Sequence, residues 1–195
     1  MALNSRTHET RPTSSHEDAK SVIRMLVGVL SDTHDHIEEA RLLIKLLLRR
    51  NVQLIIHLGD IISPFTLKFM LEEAKGTKFI AVYGNNCGEK LLLREIAMAY
   101  GAEIREPPHL VEIGGRRILL VHGWRDANYT REIVYSLAAS SSYNIILYGH
   151  THEPEIKSIG STLVANPGEA CGCLTGRKTA LLLDINTLRA STLSL

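Results

Sequence analysis

Seven side chains that can ligate a cation, Asp32, His34, Asp60, Asn85, His122, His150 and His152, each stand just past an apolar, strand-like run. Carboxylate oxygen, amide oxygen and imidazole nitrogen make a mixed donor set that suits divalent transition-metal ions. The set lacks the thiolates that would argue for a purely structural zinc. In Ser31-Asp32-Thr33-His34 the two ligands are two residues apart, so one turn beyond a strand can aim both at a common point. Gly59 before Asp60 lets backbone approach closely, and Gly84-Asn85, His122-Gly123 and Gly149-His150-Thr151-His152 repeat the pairing of glycine with ligand. Taken singly, each has an ordinary reading: Asp60 as a helix cap, Asn85 as a turn residue, each histidine as structural. Taken together, they recur at the ends of successive strands, which is where open α/β sheets hold their ligands.

The elements that must position them are legible from periodicity. Met25 to Leu30 reads as a buried strand, and Ile37 to Arg50 as a helix with Ile37, Ala40, Leu43, Ile44 and Leu47 at three- and four-residue spacings. Glu38 and Glu39 near its start and Arg49 and Arg50 at its end suit the helix dipole. The alternation continues with strand Gln53 to His57, helix Pro64 to Glu73, strand Lys78 to Tyr83 and helix Glu89 to Tyr100, the signature of β-α-β units. Leu110 to Ile113 and Arg117 to Val121 flank Gly114-Gly115 as a hairpin, followed by helix Thr130 to Ala139 and strand Asn144 to Tyr148. Short strands follow at Glu155 to Ile159, Thr162 to Ala165, Lys178 to Asp184 and Leu188 to Leu193. Two facing sheets with helices outside accommodate both halves.

The ordered motifs Asp32-x-His34, Gly59-Asp60, Gly84-Asn85, His122-Gly123 and Gly149-His150-x-His152 resemble those of the calcineurin-like metallophosphoesterase superfamily. The segments Gly84-Asn85-Asn86-Cys87-Gly88-Glu89 and Asn166-Pro167-Gly168 are most similar to the YfcE-like phosphodiesterases of bacteria and archaea, over about residues 25 to 195. That resemblance implies a four-layer α-β-β-α sandwich of two facing mixed sheets. It implies two divalent ions, manganese first, with nickel, iron, cobalt or zinc as alternatives. One ion would be held by Asp32, His34, Asp60 and His152 and the other by Asp60, Asn85, His122 and His150, with Asp60 shared. Asp60, Asn85 and His122 would be the residues next to the reaction. The implied activity is hydrolysis of a small phosphodiester or nucleotide by a hydroxide bridging the ions, with no protein nucleophile. Two alternatives stay open: a nuclease on short nucleic acids, and a protein-binding scaffold with little catalysis, like the retromer subunit of this fold.

The chain departs from the family pattern at Asn86, where many members carry a histidine able to protonate the leaving group; an amide has no such proton. Cys87 replaces a frequent aspartate, and Glu169 follows Asn166-Pro167-Gly168 where a small hydroxyl residue is common. Inside an apolar strand, His57 reads as a hydrogen-bonded core residue. His36 reads as a loop residue, and Trp124 as a border of the substrate. The arginine pairs Arg49-Arg50 and Arg116-Arg117 read as solvated, and Cys171 and Cys173 as loop or strand residues.

The 195 residues, 45% hydrophobic and 5% aromatic, fit one α/β domain, expected over residues 23–195, with a flexible polar tail over residues 1–22. Met25 opens the first apolar run, so a natural start there is a further expectation. Lys plus Arg at 22 against Asp plus Glu at 21 leaves no field to draw the surface onto nucleic acid. Three cysteines without paired spacing suit a reducing cytoplasm, and no apolar run reaches the roughly 20 residues needed to cross a bilayer. A homodimer or larger homo-oligomer is expected.

Overall fold

The computed structural model describes residues 24–195, so the expected tail over residues 1–22 lies outside the described residues. The first β-α-β run forms as the periodicity requires: β1 (Leu26–Leu30), α1 (Ile37–Leu48), β2 (Leu54–His57), α2 (Pro64–Ala74) and β3 (Lys78–Val82). Next come α3 (Lys90–Ala99), β4 (Glu103–Arg105), β5 (His109–Ile113), β6 (Arg116–Val121), α4 (Ala127–Ala139) and β7 (Ile145–Tyr148). The chain closes with β8 (Pro154–Ile159), β9 (Thr162–Pro167), β10 (Thr179–Asp184) and β11 (Arg189–Ser194).

The strands assemble into a six-stranded sheet of order β11-β10-β1-β2-β3-β4 and a five-stranded sheet of order β5-β6-β7-β9-β8. Both are mixed. In the first, β1 to β4 run parallel while β10 pairs antiparallel with β1; in the second, β6, β7 and β9 are parallel between antiparallel edges.

The near-continuous apolar runs have a direct physical reason. On β1 to β3, Val27, Val29, Leu54, Ile56, Ile80 and Val82 join one core cluster with Leu120 and Leu147 of the other sheet. Ile55, Phe79 and Ala81 point the other way, into a cluster with Leu43 and Leu47 of α1, Leu67 and Met70 of α2, and Leu93 of α3. A strand buried on both faces cannot alternate with polar residues. On the far side, Val134 and Ala138 of α4 pack with Val121, Ile146 and Val164. The layers are therefore three helices, a sheet, a second sheet and one helix, the expected α-β-β-α sandwich.

Two elements differ from the periodicity reading by more than two residues at an end or in being absent from it. Helix α4 begins at Ala127 rather than Thr130, because the Asp126 carboxylate accepts the backbone N–H groups of Asn128 and Tyr129 and starts the helix a turn earlier. Strand β4 was not foreseen; three residues with one buried apolar side chain, Ile104, carry too little pattern to read. Among the described residues, no helix is long and apolar enough to cross a membrane.

Candidate metal centre

The parallel strands of both sheets end on the same side, and the loops that leave them carry the candidate ligands. Asp32 and His34 follow β1, Asp60 follows β2, Asn85 follows β3, His122 follows β6, and His150 and His152 follow β7. These loops are under unusual backbone constraint: Asp32, His34, Asp60, His150 and His152 all have positive φ, between 42° and 67°. Non-glycine residues adopt this region at a cost, and such residues cluster where function demands it. Glycine makes the close approach possible. A Cβ added to Gly84 would lie 2.1 Å from Asp60 Oδ1, and one on Gly149 would lie 2.1 Å from Ser31 Oγ and 3.1 Å from Asp32 Oδ2.

Two donor groups result. Asp32, His34 and His152 offer one set of ligand atoms within 4.8 Å of one another, and Asp32, Asp60 and His122 a second. Asp32 Oδ1 lies 3.5 Å from His152 Nε2 and 3.8 Å from His34 Nε2. Asp60 Oδ2 stands between the sets, 3.6 Å from His34 Nε2 and 3.4 Å from His122 Nε2. Asn85 Oδ1 is 3.0 Å from His122 Nε2. His150 is the exception. Its ring packs edge-on to that of His122 at 5.1 Å, but its Nε2 is 2.9 Å from the Arg125 carbonyl, and only its backbone N–H reaches the site, donating to Asp32 Oδ2.

The hydrogen bonds behind the ligands fix the imidazole tautomers. His122 Nδ1 donates to the Leu58 carbonyl at 2.7 Å, so the neutral ring presents the lone pair of Nε2 to two further acceptors, Asn85 Oδ1 and Asp60 Oδ2. Three acceptors facing one another need a proton or a cation between them. His152 Nδ1 lies 2.6 Å from Glu169 Oε2, which turns its Nε2 toward Asp32.

Electrostatics agree with the geometry. Burial opposes ionisation of Asp32, but His34, His122 and His152 outweigh it and hold the carboxyl below its ordinary range. Burial opposes ionisation of Asp60 too, and is outweighed by His122 and by two bonds from Asn86, whose N–H and Nδ2 donate at 2.8 and 2.7 Å. The Asp32 carboxylate raises His34. At His122 burial works against the proton, and Asp60 and Asp32 still raise the pKa. Among the described residues, buried Asp32 Oδ1 and His34 Nε2 have no hydrogen-bond partner, as metal ligands seen without their ion would. The donor set fits divalent cations.

A family model for the calcineurin-like phosphoesterase superfamily domain matches residues 25–188. The chain belongs to that superfamily. It is a metallophosphoesterase, and divalent metal ions are part of the family's chemistry. A phosphodiesterase of Methanocaldococcus jannaschii is 37% identical over 161 residues, covering 82% of this chain and 93% of the relative. A probable metallophosphoesterase of Methanothermobacter thermautotrophicus is 30% identical over 149 residues, covering 74% of this chain and 76% of the relative. Among solved structures, an archaeal phosphodiesterase superposes with a TM-score of 0.79 at 34% identity, covering 88% of this chain and all of the other. The phosphoesterase YfcE of E. coli shares the fold with a TM-score of 0.62 at 20% identity, covering 87% and 99% of the two chains.

Around the metallophosphoesterase centre, the other residues singled out by type sort as follows. His57 is fully buried, accepts the Gly59 N–H at Nδ1, and is held neutral by burial with its pKa lowered to about 4. Trp124 is partly buried against the cluster under α4, and its backbone N–H donates to Thr130 Oγ1. Cys87 Sγ accepts the Gly84 N–H, which packs this thiol into the loop that carries Asn85. Glu169 is the residue whose part the sequence reading missed. Fully buried, it accepts from His152, from the N–H groups of Leu174 and Thr175 and from Thr175 Oγ1. Burial alone would raise its pKa, and these donors instead bring it down to about 2. The available signal was a carboxylate set between Gly168 and Ala170 in an otherwise small and apolar run.

Proposed function

We propose that the chain is a metal-dependent phosphodiesterase that hydrolyses a small phosphodiester or nucleotide at a centre of two divalent transition-metal ions, manganese first among them. The observation that carries this reading is the position of Asp60 Oδ2 between His34 Nε2 at 3.6 Å and His122 Nε2 at 3.4 Å. A carboxylate so placed offsets the mutual repulsion of two cations about 4 Å apart. In this reading Asp32, His34, Asp60 and His152 hold one ion, and Asp60, Asn85, His122 and His150 the other. His150 reaches its ion only by giving up the Arg125 carbonyl. When bound, two such ions supply the Lewis acidity that polarises phosphoryl oxygens and lowers the pKa of water to that of a usable nucleophile.

The protein's own residues do the positioning. Glu169 orients His152, and the Leu58 carbonyl orients His122, so that each Nε2 faces the carboxylates. Asn86 holds Asp60 by two hydrogen bonds, and its amide cannot protonate a leaving group. The activity in the name of the M. jannaschii relative supports a diester substrate.

Residues 23–195 act as a single domain in this proposal. Free thiols at Cys87, Cys171 and Cys173 support a reducing, cytoplasmic setting. Exposed apolar side chains on α2 and α3, among them Phe65, Leu91 and Met98, support a homodimer or larger homo-oligomer, which light scattering on the eluting protein would measure directly.

The reading is tested by stripping the protein of metal, restoring manganese, nickel, iron or zinc, and comparing aryl diesters, aryl monoesters, cyclic nucleotides and single-stranded DNA. Turnover that prefers diesters supports it. Turnover chiefly of DNA makes the chain a nuclease, and none with any ion makes it a scaffold.

A further inference from the structure

His36, Cys171 and Cys173 play no part in the hydrolytic reading, yet the fold gathers them. His36 stands at the N-terminus of α1, and the two cysteines flank Gly172 in the loop between β9 and β10. One ring nitrogen of His36 and the two Sγ atoms all lie within 4.8 Å of one another, and Cys173 Sγ is 3.8 Å from both His36 Nδ1 and His36 Nε2. The histidine is 137 positions from Cys173 in sequence, so local chain geometry alone does not explain the convergence.

Three features prepare these groups to ligate. Gly172 has a φ of +71°, and a Cβ there would lie 2.8 Å from Lys178 Cγ, so this tight turn between the cysteines requires glycine. The turn lets the Cys173 N–H donate to Cys171 Sγ at 3.2 Å, which offsets part of the upward push that burial and the Glu169 carboxylate give this thiol's pKa, and a bound cation would have to supply the rest. His36 Nδ1 is 2.9 Å from the His34 carbonyl, which can only accept, so Nδ1 carries the ring proton and Nε2 keeps its lone pair. Cys173 and His36 are exposed while Cys171 is buried, which leaves the group reachable from solvent on one side.

We propose that His36 Nε2, Cys171 Sγ and Cys173 Sγ bind a thiophilic divalent cation, zinc or cadmium, at a site separate from the carboxylate and imidazole centre. Two sulfurs and one imidazole are a zinc donor set, and water completes a tetrahedral shell. Each thiol gives its proton to solvent as its bond to the ion forms. The site adjoins the hydrolytic one, since Cys171 Sγ lies 3.3 Å from the Glu169 oxygen that accepts from His152.

The proposal does not depend on the hydrolytic reading and is tested without turnover. Fully reduced protein is titrated with cadmium and followed by ultraviolet absorption for thiolate-to-metal charge transfer, which carboxylates and imidazoles do not produce. Cadmium is added beyond what the carboxylate and imidazole centre can take up, and the expected result is a band that reaches a plateau with the amplitude of two thiolates on one ion. Cys87→Ser keeps the band, Cys173→Ser abolishes it, and His36→Gln weakens affinity about tenfold or more. No band in the parent protein, or a band that survives Cys173→Ser, overturns the proposal. So does a mass lower by a pair of hydrogens in protein purified with zinc and without reductant, since that marks a disulfide.

Discussion

The buried carboxylate of Glu169 acts on the candidate centre only through His152. It holds His152 Nδ1 at 2.6 Å and so decides which ring nitrogen meets Asp32. Glu169→Gln is expected to weaken manganese affinity about 10- to 100-fold while leaving the fold intact, as read by a manganese titration beside a thermal melt. Unchanged affinity would mean that His152 needs no such partner. At Asn86 the prediction concerns substrate. With no titratable group there, rates should fall steeply as the leaving-group pKa rises across a series of aryl diesters, and a flat series would point to an acid elsewhere in the chain. The convergence of these side chains was legible because Asp, Asn and His stand out at the ends of apolar runs. Glu169 was not, because its role rests on a bond to a residue 17 positions away and on a loop conformation that no periodicity records. The ring orientation of His150, set by the Arg125 carbonyl, was hidden for the same reason.

Individual elements act as rigid arms that deliver these residues. The turns beyond β2 and β3 approach so closely that a methyl group on Gly84 would collide with both Asp60 N and Oδ1, at 2.2 and 2.1 Å. Gly84→Ala should therefore destabilise by about 1–3 kcal/mol, visible as a lower melting temperature, and should loosen metal binding as well. A variant that melts like the parent would show that the two turns can part without cost. Helix α1 makes the converse case. Its Leu43 and Leu47 are fully buried against the first sheet, and a Cβ on Gly28 of β1 would lie 2.7 Å from Leu47 Cδ1. Leu43→Ala should cost about 2–5 kcal/mol, measured by denaturant unfolding, with little change in metal affinity once folded. Long elements with a repeated apolar face were readable to within a few residues. The start of α4, set by a side-chain cap at Asp126, and the three-residue β4 were the places where local chemistry or an edge pairing carried more information than periodicity.

Across the whole molecule, the two sheets face each other over one apolar layer, and the end of β10 is tied to the chain's first described residues. Asp184 is buried, accepts from Arg24 Nε, and takes the N–H groups of Asn186 and Thr187 at 3.0 and 3.2 Å. Burial pushes its pKa upward, but these donors outweigh it and leave the value lowered. A carboxyl depressed in the folded state contributes stability at pH values above its unfolded pKa of about 3.9 and loses that contribution as pH falls through the folded value. Asp184→Asn should thus be less stable than the parent at neutral pH, with the difference narrowing in strong acid. A difference that is constant with pH would remove charge from the explanation. The layer order was legible from alternating helix and strand patterns, because strands buried on both faces must be apolar throughout. The pairing of β10 beside β1, which closes the first sheet, joins segments at opposite ends of the chain and was not.

Whether Asp60 is shared by two cations is decided by electron paramagnetic resonance of manganese-loaded protein. A shared Asp60 should give uptake of two equivalents with an exchange-coupled spectrum of paired ions, and loss of both ions in Asp60→Ala. A single bound manganese with an isolated-ion spectrum, or two ions retained without Asp60, would contradict it.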